Sequence, residues 1–184
     1  MPVSPSNPAW HPRIREVITI LRDAQAAMEA WLDALPPTQR AMRPASGGWS
    51  IADIVEHLAM VEDGSGRRIG TLIKGAAGTQ DAGTTPVAPT LEMFRVWQPT
   101  RPIAAPPMVT PTGALDFADA LAAQRTARER LMAAYEAASG LDLATVTAPH
   151  PVLGPLNAYQ WGVFVAHHQH RHLHQMRTLV STLS

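Results

Sequence analysis

Apolar residues recur at helical intervals through most of the chain. Ile14, Val17, Ile18, Leu21, Ala24, Met28, Leu32 and Leu35 mark one face of a first helix over about Pro12 to Leu35. Pro12 suits a first turn, where its missing N–H would be unpaired anyway. Pro36-Pro37 stops the run. Ile51, Ile54, Val55, Leu58 and Val61 mark a second helix, with Ser50 and Asp53 as a variant capping box at its start. This pattern extends through Arg67, Arg68 and Leu72 toward Lys74, although Gly64 and Gly66 weaken its continuity. Phe117, Leu121, Gln124, Arg128, Leu131 and Tyr135 give a third helix, opened by Asp116 and Asp119 and closed near Gly140. The fourth carries Trp161, Val165, His168, His172, Met176 and Leu179 on one stripe, after an Asn157/Gln160 cap signature.

The second and third helices are joined by the least regular part of the chain. Gly75 to Pro89 is a small-residue loop, and Leu91 to Trp97 predicts a short helix. Pro99 to Pro111 holds five prolines and predicts an extended crossover. No strand-like alternation of useful length and no internal repeat is present, so no strands are expected. Residues 1–9 read as a loose lead-in to one domain over 1–184. The expected architecture is all-α: a four-helix bundle with a long crossover between helices two and three.

Composition narrows the function classes. At 184 residues and 46% hydrophobic, the chain can bury a core. Fifteen basic residues balance fifteen acidic ones, which gives no electrostatic reason to expect nucleic acid or an anionic membrane as partner. The absence of cysteine removes thiolate nucleophiles and thiolate zinc sites. The N-terminus lacks a basic-then-apolar signal pattern, and no run of about 18 apolar residues occurs. A cytoplasmic location is expected.

Histidine is the informative residue. Five of the eight histidines lie between His167 and His174. His168 and His172 occupy inward positions on the fourth stripe, one turn apart, where leucines would ordinarily be. They read equally as core residues with satisfied ring nitrogens or as two ligands of one metal ion. His167, His170 and His174 fall on another face, ending in Arg177; that spacing is also ligand-like, but a solvated face explains it more simply. His57 lies on or beside the inward face of the second helix, and taken alone reads as a satisfied core histidine. Glu56 is expected to point elsewhere.

GWSIADIVEHL early and HPVLGPLNAYQWGVFVAHHQHRHLHQM late together resemble the DinB-like superfamily, of the DinB/bacillithiol-transferase type. The resemblance covers nearly the whole chain, including the order of helices and the proline-rich crossover. It implies a four-helix bundle, commonly a homodimer, with a divalent metal held by three histidines. Carried onto this chain, these are His57, from Trp49-Ser50…His57-Leu58, and His168 and His172, from the H-x-x-x-H that precedes Gln175.

Three imidazoles without a thiolate suit zinc or nickel first, with iron or manganese also compatible. Three protein ligands leave a position for water, substrate or a small thiol. The resemblance therefore implies either metal-assisted hydrolysis or transfer of a small electrophile to a low-molecular-weight thiol. The alternative is a non-catalytic binding or stress-response module without bound metal. Asp53 is a candidate for orienting His57 or moving a proton, although its place at the helix cap already explains it. Gln175 and Arg128 are candidate pocket residues, Arg128 for an anionic group, with a surface or interface ion pair as its plainer role. Trp49, Tyr159 and Trp161 read as packing residues.

Overall fold

The computed structural model describes residues 9–40, 42–44, 47–88, 90 and 104–183. The helices are α1 (Pro12–Asp33), a single turn α2 (Pro37–Arg40), α3 (Ile51–Gly75), α4 (Phe117–Ala137) and α5 (Ala158–Leu183). A hairpin of β1 (Thr147–His150) and β2 (Gly154–Asn157) leads into α5. The long helices α1, α3, α4 and α5 form the bundle, with α3 laid along α4 and α1 along α5. The short helix predicted over Leu91–Trp97, the start of the proline-rich run and nearly all of the N-terminal lead-in lie outside the described residues.

The helix starts follow from local chemistry. The Ser50 hydroxyl accepts from the Asp53 N–H at 3.2 Å, and the Asp53 carboxylate accepts from the Ser50 N–H at 2.8 Å. Asp116 caps α4 through the Asp119 N–H at 2.9 Å. Asn157 and Gln160 cap α5 reciprocally, at 2.9 and 3.0 Å. Such caps satisfy N–H groups that a helix start leaves unpaired, each worth about 1 kcal/mol. α3 runs unbroken past Gly64 and Gly66. A mid-helix glycine costs only about 1 kcal/mol relative to alanine. Burial of Glu62, Ser65, Ile69 and Leu72 on the same helix holds it against its neighbours.

The hairpin departs from the expectation of no strands. Thr147–His150 pairs antiparallel with Gly154–Asn157, placing Pro149 opposite Pro155. Four-residue strands carrying prolines have no room for a legible alternation, so only the turn signals were visible in the sequence. Gly154, the first residue of β2, is left-handed at φ +75° where the chain leaves the connection.

A polar layer divides the core in two. Toward one end, Ile14, Val17, Leu21, Ile69, Tyr135 and Val163 pack with the base of the hairpin. Toward the other, Met28, Leu32, Ile54, Leu58, Leu121 and Met176 pack together. Each fully buried Leu or Ile contributes about 1.5–3 kcal/mol. Between the clusters lie Gln25 of α1, Glu62 of α3, Gln124 and Arg128 of α4, and Gln169 of α5. Arg128 donates to both Glu62 oxygens, from Nε at 2.8 Å and Nη2 at 2.7 Å. It also donates to Gln169 Oε1 at 2.7 Å and to the Leu21 carbonyl. Gln25 and Gln124 exchange amide hydrogen bonds at 2.8 and 2.9 Å. Two turns before this layer on α5, Gly162 permits close packing: a Cβ there would lie 2.6 Å from Tyr135 Oη and Val17 Cγ1.

Candidate metal centre

His57 sits in α3 one turn in from Ile54, and 4% of its surface is exposed. Its Nδ1 lies 2.7 Å from the carbonyl of Val109, which ends the 3-10 turn Pro107–Val109. A carbonyl can only accept, so Nδ1 carries the proton and Nε2 keeps its lone pair. Contrary to the sequence reading, the neighbouring Glu56 is also buried. Its carboxylate accepts from the Thr112 hydroxyl at 2.6 Å and from the N–H groups of Thr112 and Gly113 at 3.0 and 3.2 Å. Two consecutive residues of α3 thus grip the end of the crossover and set the His57 ring.

α5 brings the other two rings. His172 is 6% exposed, and its Nδ1 lies 2.8 Å from Gln175 Oε1, which fixes the same tautomer. His168 is half-buried one turn earlier. The Nε2 atoms of His168 and His172 face each other at 3.1 Å. The ring of His57 lies 5.3 Å from that of His168 and 4.8 Å from that of His172, centroid to centroid. Trp49 covers His57 at 4.9 Å, and Phe164 covers His168 at 5.5 Å. The ligand atoms of the three histidines all lie within 4.8 Å of one another.

Burial keeps these rings neutral. It lowers the pKa of His57, with the Val109 bond opposing and the Arg171 charge assisting. It lowers His168 well below its ordinary value, reinforced by His172, His57 and Arg171. His172 falls to about 3, through burial and then the charges of His57 and Arg171, against the Gln175 bond. Neutral imidazole is the form that ligates a metal.

The donor set fits a divalent ion. At a zinc–nitrogen distance of about 2.0–2.1 Å, two ligands at a tetrahedral angle stand about 3.3 Å apart. The His168–His172 separation of 3.1 Å is close to that. Either a proton or a cation must lie between two nitrogens so placed, and His172 is already the acceptor tautomer. Backbone or amide oxygens behind Nδ1 are the usual support of ligating histidines.

A sequence profile of the DinB superfamily matches residues 20–176, taking in both helices that carry the cluster.

The chain belongs to the DinB superfamily.

A curated relative, the uncharacterized protein YuaE of Bacillus subtilis (strain 168), is 29% identical over 160 residues, spanning 84% of this DinB chain and 93% of its own. The crystal structure of TT2238, a four-helix bundle protein, superposes with a TM-score of 0.61 at 22% identity. That match covers 90% of this chain and 98% of the other, and establishes the bundle.

The remaining candidate residues separate by position. His167, His170 and His174 are exposed, on the other face of α5. Asp53 is occupied by the helix cap and by Arg43, whose Nη1 lies 2.6 Å from its carboxylate. His57 is oriented by Val109 instead. Arg128 is not on the surface: it is 1% exposed, inside the polar layer with Glu62. Its helical position was readable, but its partner sixty-six residues earlier was not. Trp161 packs against Phe164, and Tyr159 donates to Asp81 at 2.5 Å. Gln175 lines a groove of about 360 Å³ with Pro44, Trp49, Ile54, Thr178 and Leu179. The sequence reading missed two contributors. Val109 acts through its carbonyl and has no side-chain signature. Arg171 was detectable, since it stands three residues after His168 and beside His172.

Proposed function

We propose that this DinB-superfamily protein is a metal-dependent enzyme whose ion is held by His57, His168 and His172. The observation that carries the reading is the inward convergence of three neutral imidazoles, two of them fixed by oxygen acceptors behind the ring. An all-imidazole set suits zinc or nickel best, with iron or manganese compatible. Such an ion supplies Lewis-acid chemistry at an open position, activating a water or a small thiol near neutral pH.

The protein's own groups define the rest of the site. Val109 and Gln175 hold two rings in the ligating tautomer. Trp49 and Phe164 flank the cluster and keep bulk water from the rings they cover. Arg171 adds positive charge beside all three histidines, which favours an anionic reactant. Hydrolysis of a small ester or amide and transfer of an electrophile to a low-molecular-weight thiol both fit this arrangement. A homodimer of this bundle is part of the same proposal.

Elemental analysis of untagged protein, after loading and desalting, tests the reading. About one ion per chain is expected for the wild type, and far less for His57→Ala or His168→Ala. Fewer than one ion per several chains in the wild type defeats it. Metal uptake without turnover in both hydrolase and thiol-transfer screens keeps the ion site and defeats the enzyme; absence of both uptake and turnover supports the non-catalytic alternative without bound metal.

A further inference from the structure

The sequence of α5 carries one histidine spacing twice. His168-x-x-x-His172 turns into the cluster, and His170-x-x-x-His174 is interleaved with it two residues later. Two residues turn about 200° around an α-helix, so the second pair stands on the far side of α5 from the first. The helix runs unbroken from Ala158 to Leu183, and His170 and His174 are both exposed along it.

Helix geometry makes this pair a chelate. Residues four apart share a face, with Cβ atoms about 5–6 Å from each other. Two histidines at that spacing recur as half of a metal site, because each ring can turn a nitrogen to one point above the helix. Exposed side chains keep the choice of rotamer that this needs. The nearby charges admit a cation. Arg128, Arg177 and Asp23 each act on the His170 ring. The Arg128 charge is already met by Glu62. Arg177 is exposed and seven residues further on, about 10 Å by the helical rise, where water and salt screen it. Asp23 is also exposed, on α1, the helix laid along α5, and brings a carboxylate to the pair from a second element.

We propose that His170 and His174 bind a second divalent transition-metal ion on the outer face of α5, with the Asp23 carboxylate beside it. Imidazole donors favour copper, nickel and zinc over calcium and magnesium, and copper(II) is held most tightly of all. The inference stands apart from the metal-centre reading, since it needs neither an interior ion nor turnover. Two imidazoles hold an ion less firmly than three, so desalting empties this site and leaves the interior one filled.

Chromatography of the untagged, full-length protein on immobilised copper(II) iminodiacetate tests the proposal. An ion fixed to a resin reaches exposed rings and not the interior cluster. The wild type is retained and elutes with imidazole, equally after zinc loading and after stripping with a chelator. His170→Asn and His174→Asn each lower the imidazole needed by about half or more, since one ring replaces a chelating pair. Asp23→Asn lowers it by less. All three substitutions are at exposed positions, and circular dichroism is expected to show wild-type helix content. Passage of the wild type without retention overturns the proposal, as does wild-type elution of either histidine variant or of Asp23→Asn. Retention confined to the stripped protein assigns the binding to the interior rings and overturns it too. A retained protein that keeps no zinc after desalting upholds the surface pair and defeats the interior centre; zinc kept without retention does the reverse.

Discussion

Two polar regions interrupt the apolar interior of the bundle, and they are built in opposite ways. In the Glu62–Arg128 layer, Nε, Nη1 and Nη2 of the guanidinium are all bonded, and both carboxylate oxygens accept. The surrounding glutamines bond one another and the ion pair. The histidine cluster, just over a turn away on α3 and on either side of Gln169 on α5, includes no acid among the described residues. Its polar bonds run outward, to Val109 and Gln175, and its Nε2 atoms turn toward one point. A buried polar group that serves structure closes its bonds among its own members. One that serves a ligand leaves donor atoms directed at a shared centre.

The largest expected effect comes from breaking the closed region. Arg128→Met leaves the Glu62 carboxylate buried without its partner and should cost about 3–5 kcal/mol in urea unfolding. The double variant with Glu62→Gln should recover most of that loss. A single variant as stable as the wild type would show that the layer is not sealed.

The open region should respond to an ion instead. Zinc at about 100 times its dissociation constant is expected to stabilise the fold by about 2.7 kcal/mol, read as a rise in melting temperature. A chelator should reverse the rise, and His172→Ala should never show it, while Arg128→Met should still show it in proportion to its folded fraction.

Acid distinguishes the regions further. The folded-state pKa of His172 is depressed to about 3, below the ordinary 6.5 of an unfolded histidine. As pH falls below about 6.5 the unfolded chain takes up protons that the folded one refuses, so stability falls with pH until the folded value is reached. At pH 5, His172 alone corresponds to a loss of about 2 kcal/mol in the metal-free protein relative to pH 8. His172→Leu should flatten the stability–pH curve over that window; a curve of unchanged slope would contradict the burial of this ring.

The smallest effect concerns orientation. Gln175→Leu removes the acceptor behind His172 and should weaken zinc affinity about tenfold, with little change in unfolding free energy without metal. A competition titration against a chromophoric chelator reads it. Equal affinity in the two proteins would mean that the ring holds its place without the amide.

Much of this was legible in the chain because helices write their burial at a fixed period. The stripe from Trp161 to Leu179 is buried apart from the half-buried His168, and the caps at Ser50, Asp116 and Asn157 stand where the motifs put them. What lay beyond the sequence was anything decided by a distant partner. The position of Arg128 on a helical stripe did not reveal that Glu62 faces it across the bundle. Glu56 looked like an outward residue because the loop it binds returns to it only after fifty-six positions. Asp53, by contrast, was explained locally, since its partners Ser50 and Arg43 are close in sequence.

Glu56 and His57 together tie the segment from Val109 to Gly113 onto α3. Drawing that segment away would strip the His57 ring of its acceptor, free it to rotate and so loosen its hold on any cation. By reciprocity, cation occupancy must tighten the segment by the same free energy. Amide hydrogen exchange at Thr112 and Gly113 is thus a gauge of occupancy, and a substrate that shifts the crossover would alter ion affinity from outside the coordination sphere.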